Sequence, residues 1–91
     1  MTSKGVIMGK IEQVRSIIND PFGDFDRLTD QERNVLRLAS RGFTNRYISS
    51  NQGISEEMVA YTLRNGLLKL DVKKKDLPNL VFARIERIVN N

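Results

Sequence analysis

The groups in this chain that could do chemistry are cations and carboxylates, because its 91 residues include no histidine and no cysteine. The commonest general base, the physiological-pH switch, the usual metal ligand and any disulfide are missing together. Hydrolytic and metal-dependent chemistry are therefore not expected, no enzyme activity is assigned, and no cofactor or metal site is expected. What remains is charge. The net charge is +4, and the excess lies in residues 73–91, where five cations face two anions, led by Lys73-Lys74-Lys75. Such a run attracts a polyanion, or serves as a solvated loop between helices. The second candidate is SEEMVAYTLRNGLLKLDV, Ser55 to Val72. At helical spacing its outer face is Glu57, Ala60, Tyr61, Arg64 and Leu68, which is one cation, one anion and three groups with little affinity for phosphate.

The elements that must position these groups all read as helices. From Gly5 to Asn19, Ile7, Ile11, Val14 and Ile18 recur at i, i+4, i+7 and i+11, the spacing of an amphipathic helix. Asp20-Pro21 ends it, because the residue before proline avoids helical geometry. In the connector that follows, Phe22 and Phe25 are expected to pin the first helix to the rest. Thr29 and Glu32 form a capping box for the next helix, with Leu28 as a staple. Val35, Leu36, Leu38 and Ala39 give its buried stripe, and Gly42 closes it. Thr44 caps a short helix that ends before a tight turn at Gly53. Ser55 caps the next, with Glu56 and Glu57 at its positive end and a buried stripe of Val59, Leu63, Leu67 and Leu70. Asp76 is the expected cap of a last helix, with Pro78 in its first turn and a stripe of Leu77, Val81, Ile85 and Ile88. Two helices joined by a short glycine-containing turn are a helix-turn-helix signature. No apolar run approaches the roughly 18 residues of a membrane span, and MTSKGVIMGK turns polar too soon for a secretory signal. A cytoplasmic, all-α protein with no membrane partner is expected.

LTDQERNVLRLASRGFTNRYISSNQGIS, followed by VxxxLxNxLxKLxV, resembles the LuxR/GerE-type helix-turn-helix domain without a gap from Leu28 to Val72. The resemblance rests on residues including Leu28-Thr29, Glu32-Arg33, Gly42, Thr44-Asn45, Gly53-Ile54-Ser55, Val59, Asn65 and Lys69-Leu70. Region 4 of bacterial sigma factors shares part of the pattern but lacks the features at Asn45 and Lys69-Leu70-x-Val72. The resemblance implies a four-helix LuxR-like domain over residues 28–91, preceded by an N-terminal amphipathic helix and connector over residues 1–27. It also implies a DNA-binding transcription regulator. The third helix of the domain (about 55–70) would enter the major groove of duplex DNA, and the protein would act as a homodimer. Thr44, Asn45, Arg46, Lys69 and Lys74 would hold phosphates. Ala60, Tyr61, Arg64 and Asn65 would face the groove, with Arg64 able to bond guanine. Ile7, Ile11, Val14 and Ile18 of the first helix and Val81, Ile85 and Ile88 of the last would cover the core, a twin subunit or a partner. Ninety-one residues leave no room for a phosphoacceptor or autoinducer domain, so control is expected through expression, oligomerisation or a partner.

This chain departs from the family where the family is usually basic or bulky. Ala60 and Leu68 stand at positions that are often cationic, Met58 replaces a threonine, Thr62 a histidine, and Gly66 a bulky apolar residue. Cation–phosphate contacts supply most non-specific affinity for DNA. The departures therefore keep an alternative open: a protein-interaction module with this fold, an anti-activator or an RNA polymerase adaptor, with weak or no DNA binding. RNA polymerase or another regulator is then the candidate partner.

Overall fold

Three hydroxyl side chains set where the central helices begin. In the computed structural model, which describes residues 2–90 with side chains from Gly9 onward, Thr29 accepts from the Glu32 N–H. The Glu32 carboxylate accepts in return from the Thr29 N–H at 2.8 Å. Thr44 accepts from the Tyr47 N–H, and Ser55 from the Met58 N–H. Each bond satisfies one of the four N–H groups that a helix start leaves without a partner. The elements are α1 (Thr2–Asn19), α2 (Asp30–Ser40), α3 (Asn45–Gln52), α4 (Glu56–Leu70) and α5 (Leu77–Val89), with a 3-10 turn at Lys74–Asp76. No strand occurs among the described residues. The expected architecture is therefore the observed one: a four-helix, LuxR-like helix-turn-helix domain (α2–α5) preceded by one additional helix.

The helix ends follow the same local chemistry. Gly42, at φ 88°, lets its own N–H reach the Ala39 carbonyl and the Phe43 N–H reach that of Leu38. This is the six-residue closure that needs a left-handed residue just past the helix. At the end of α4 the same closure is made by Asp71 at φ 57°, with bonds from Asp71 to Leu68 and from Val72 to Leu67. One expected cap is corrected. The Asp76 carboxylate does not cap α5; it turns back to accept from the Lys73 N–H at 3.2 Å and so belongs to the 3-10 turn. Pro78 stands in the first turn of α5, where its missing N–H costs no hydrogen bond.

The core gathers Phe22, Leu28, Val35, Leu36, Leu38, Ala39, Ile48, Val59, Leu63 and Leu77. The buried line on α4 differs from the expected one. It runs through Val59, Thr62, Leu63 and Gly66, while Leu67 and Leu70 are half-buried at its edge. The reason lies at Gly66, where a Cβ would come within 2.8 Å of Leu36 Cδ1. The absent side chain lets Leu36 enter α4's surface, and α2 and α4 rotate their contact toward that notch.

The connector pins to the core as expected. Phe22 is fully buried and meets Phe25 edge to face at 5.7 Å. Arg33 donates to the Phe25 carbonyl, and Arg84 donates to the Pro21 carbonyl and pairs with Asp24 at 2.7 Å. Through this anchor α1 returns along α5. Ile18 borders Val81, Phe82 and Ile85, whereas Ile11 and Val14 border Val89, so the two helices run antiparallel. Ile17 and Val14 are half-buried; Ile11 and Ile18 remain exposed. The Ile7 side chain lies outside the described residues.

Candidate nucleic-acid interface

α3 and α4 are held at a fixed crossing by the short turn between them. Gly53 takes a left-handed φ of 68°, its N–H closing α3 on the Ser49 carbonyl, and the Ser49 hydroxyl donates to the Ile54 carbonyl. Ile48 and Val59 are buried beneath the turn. The rigid crossing turns one face of α4 outward. Glu57, Tyr61, Arg64 and Leu68, at i, i+4, i+7 and i+11, are all exposed and line up along it, with Ala60 exposed at its edge. This is the outer face expected from the sequence.

An open groove of about 500 Å³ runs beside that face. It is lined by Asn45 of α3, by Ala60, Arg64 and Leu68 of α4, and by Lys73 and Lys74 of the following turn, over a floor of Leu63, Leu67 and Val72. Four residues expected at the site, Asn45, Ala60, Arg64 and Lys74, are thus brought together from three elements. Three cations and no carboxylate line the groove, which favours an anionic occupant. The Asn45 Oδ1 is buried without a hydrogen-bond partner among the described residues. The Arg64 guanidinium lies 5.8 Å from the centre of the Tyr61 ring, which holds it along the outer face. Thr44 and Arg46 flank Asn45 at the start of α3, both exposed, with the Thr44 hydroxyl already engaged as a cap. Asn65 is half-buried on the flank of α4.

Lys69 stands apart from this group. Its ammonium is bonded at 2.8 Å to the carboxylate of Glu32, which is buried on α2. Burial alone would raise the Glu32 pKa. The hydrogen bond from Lys69, the bond from the Thr29 N–H and the charge of Lys69 outweigh it, so the carboxyl is held below its ordinary value of 4.5. Lys69 therefore ties α4 to α2 at the capping box. Sequence reasoning missed this bridge because Glu32 already had a complete role as a cap. It placed Leu68 on the outer face and Lys73 in the lysine run, but assigned neither to the site. The lysine run and the 60-64-68 spacing were the signals that could have found them.

Among the described residues, no group of three or more carboxylates could hold a metal ion, and no helix is long and apolar enough to cross a membrane.

Comparison with known proteins adds three findings. The GerE family, described as "Bacterial regulatory proteins, luxR family", matches residues 26–77. The "Nitrate/nitrite response regulator protein homolog" of Haemophilus influenzae is 40% identical over 62 residues, covering 68% of this chain and 30% of that protein. The "Nitrate/nitrite response regulator protein NarP" of Escherichia coli is 35% identical over 65 residues, covering 71% of this chain and 29% of that one. The chain thus spans less than a third of the length of these relatives. No solved structure matches it.

Proposed function

Because this chain belongs to the luxR family of bacterial regulatory proteins, we propose that it is a transcription regulator, not an enzyme, that binds duplex DNA as a homodimer. α4 enters the major groove. The observation that carries this reading is the groove where Arg64, Lys73 and Lys74 converge with Asn45 and no carboxylate intervenes. On this reading Thr44, Asn45 and Arg46 meet one phosphate run at the start of α3, where free N–H groups add to the attraction. Lys73 and Lys74 meet another beyond the end of α4. Between them Ala60, Tyr61, Arg64 and Asn65 face base edges, with Arg64 suited to guanine and Ala60 and Leu68 to thymine methyls. Lys69, bonded to Glu32, braces α4 and supplies no primary phosphate contact.

The test is fluorescence anisotropy of a labelled mixed-sequence duplex titrated with the protein across a salt series. Binding should weaken steeply with salt, and Arg46→Ala should lower the salt slope by about one unit on every sequence. Ala60→Lys should strengthen binding by adding a cation inside the groove. Flat affinity on Ala60→Lys would mean that α4 does not face DNA.

A second reading is favoured by one observation: Leu68 is 72% exposed at the C-terminal end of the same face, with Tyr61 at 54%. An anti-activator or RNA polymerase adaptor would use these as anchors. No binding of the duplex even at low salt would select it.

A further inference from the structure

α4 begins with two glutamates, Glu56 and Glu57, at the first and second helical positions after the Ser55 cap. The carboxylate that opens α2, Glu32, stands at the third position, where it accepts from the Thr29 N–H and closes a capping box. In α4 that third position is Met58, and the Ser55 hydroxyl takes the Met58 N–H alone. Both glutamates of α4 are exposed, and neither is in a salt bridge among the described residues. The helix dipole gains from an anion at either position. Only Glu57 lies on the outward line with Tyr61, Arg64 and Leu68.

Arg64 follows Glu57 on that line by two helical turns, about 10 Å along the axis. The two do not pair. The Arg64 guanidinium lies instead against the Tyr61 ring, 5.8 Å from its centre. The face thus presents one group that only accepts hydrogen bonds and one that only donates them. Their charges cancel, so the face gains little from phosphate, and the attraction comes from its flanks: Arg46 on one side, Lys73 and Lys74 on the other. A face with no net charge and two opposite hydrogen-bonding ends suits base edges, whose donors and acceptors differ, better than a backbone of uniform anions.

In the major groove a carboxylate has one good partner. The cytosine N4 amino group donates with no acceptor beside it. Adenine N6 also donates, but the neighbouring N7 repels a carboxylate, and guanine and thymine offer acceptors. We propose that Glu57 reads cytosine while Arg64 reads guanine. The preferred site then holds a cytosine and a guanine about three base pairs apart, the ~10 Å between the residues divided by ~3.4 Å per base pair. The uncharged Ala60 and Tyr61 span the gap. The inference rests on the duplex-binding reading above and deepens it. Glu57 discriminates by repulsion, weakening binding to every sequence that offers no cytosine at its position. It also gives the absent cation at Ala60 a role, because a lysine three residues after Glu57 would neutralise the carboxylate that does the reading.

Selection of bound duplexes from a random-sequence pool by the full chain, followed by sequencing, tests the assignment. The wild type should enrich a cytosine and a guanine at the stated spacing. Replacing that cytosine by thymine in the enriched duplex should weaken binding about tenfold by fluorescence anisotropy. Glu57→Gln should move the preference at this one position from cytosine to adenine, because an amide can accept from N6 and donate to N7 together. It should also bind a mixed-sequence duplex about two- to threefold more tightly at low salt, a gain lost at high salt. Glu57→Ala, which should lose the cytosine without gaining adenine, serves as the second variant if Glu57→Gln misfolds. Arg64→Ala should erase the guanine and keep the cytosine. A carboxylate that serves only the helix dipole would lower the thermal midpoint in Glu57→Gln and leave the enriched sequence unchanged. That result overturns the assignment, as does a wild-type site with no cytosine at that spacing, while duplex binding itself stands. A pool from which no duplex is retained even at low salt overturns the DNA reading, and this inference with it.

Discussion

The region from Leu28 to Val72 and the layer made by α1 and α5 are built on different physics. In the first, each helix start is fixed by a hydroxyl within three residues and each end by a left-handed residue. The core contact between α2 and α4 closes over a glycine. In the second, α1 carries no comparable device among the described residues. It is located by packing on α5, by the Phe22 anchor and by the bond from Arg41 to the Ile18 carbonyl at 2.8 Å. The first region buries its apolar stripe but leaves Tyr61 and Leu68 exposed beside the outward-facing Arg64. The second leaves Ile11, Ile18, Phe82 and Val89 uncovered. Local precision belongs to the part that presents Asn45 and Arg64, and long-range packing to the layer of α1 and α5.

The largest expected effect strikes where the first region has no slack. Gly66→Leu would drive a side chain into Leu36, whose nearest atom already stands 2.8 Å from the position of a Cβ. Leu36 is fully buried and cannot swing out. Urea denaturation should show a loss of about 3 kcal/mol. Leu36→Ala alone should lose about 2–5 kcal/mol, and adding Gly66→Leu to it should recover part of that loss by filling the cavity. The matching change in the other layer, Phe82→Ser, should move the stability of the monomer by less than about 0.5 kcal/mol. Equal losses at the two positions would erase the distinction between the regions.

This contrast also explains what could be read from the sequence. Thr29, Thr44, Ser55, Gly42 and Gly53 are local signals, and each helix boundary they mark stands where it was expected. The face that α4 buries was read less well. Hydrophobicity scores Leu67 and Leu70 as core and gives Gly66 nothing, yet the notch at Gly66 sets the contact with α2. Asp76 has the right residue type for a cap, but the 3-10 turn offers its carboxylate the Lys73 N–H first. At the candidate site, Asn45, Ala60 and Arg64 were legible because the family pattern fixes their spacing, and Lys74 because the lysine run marks a basic turn. The diversion of Lys69 to Glu32 was not, because it depends on a partner 37 residues away. Phe82 escaped notice because a lone aromatic beside a helical stripe carries no sign of which side it faces.

A smaller effect should come from the ionic tie inside the first region. Glu32 is buried and its folded pKa lies below the ordinary 4.5. A carboxyl whose pKa is lowered by folding adds stability above its unfolded value and loses that contribution as pH falls through the folded value. Lys69→Met removes the counter-charge while keeping the stem. Since the Lys69 side chain is about a third exposed, the loss at pH 7 should be modest, about 1–2 kcal/mol. The gap from wild type should close as the pH is lowered below 4.5 and Glu32 takes up a proton. Thermal midpoints of the two proteins between pH 7 and pH 3 measure it. A gap that stays constant across that range would show that Lys69 contributes by packing, not charge.

The smallest expected change is a gain. Asp71 is the one described non-glycine residue with a positive φ, and it performs at the end of α4 the task that Gly42 performs for α2. Aspartate tolerates the left-handed region better than most side chains but still with strain. Its carboxylate also sits at the negative end of the helix dipole. Asp71→Gly removes both penalties and keeps the bonds to Leu67 and Leu68, so stability should rise by about 0.5–1 kcal/mol. The same substitution deletes an anion two residues before Lys73. If that turn meets phosphate as proposed, duplex binding at low salt should strengthen about two- to threefold, and the gain should vanish at high salt, where Debye screening shortens the reach of the lost charge. A stability gain without tighter binding would place residues 71–75 off the DNA and confine the phosphate contacts to the start of α3.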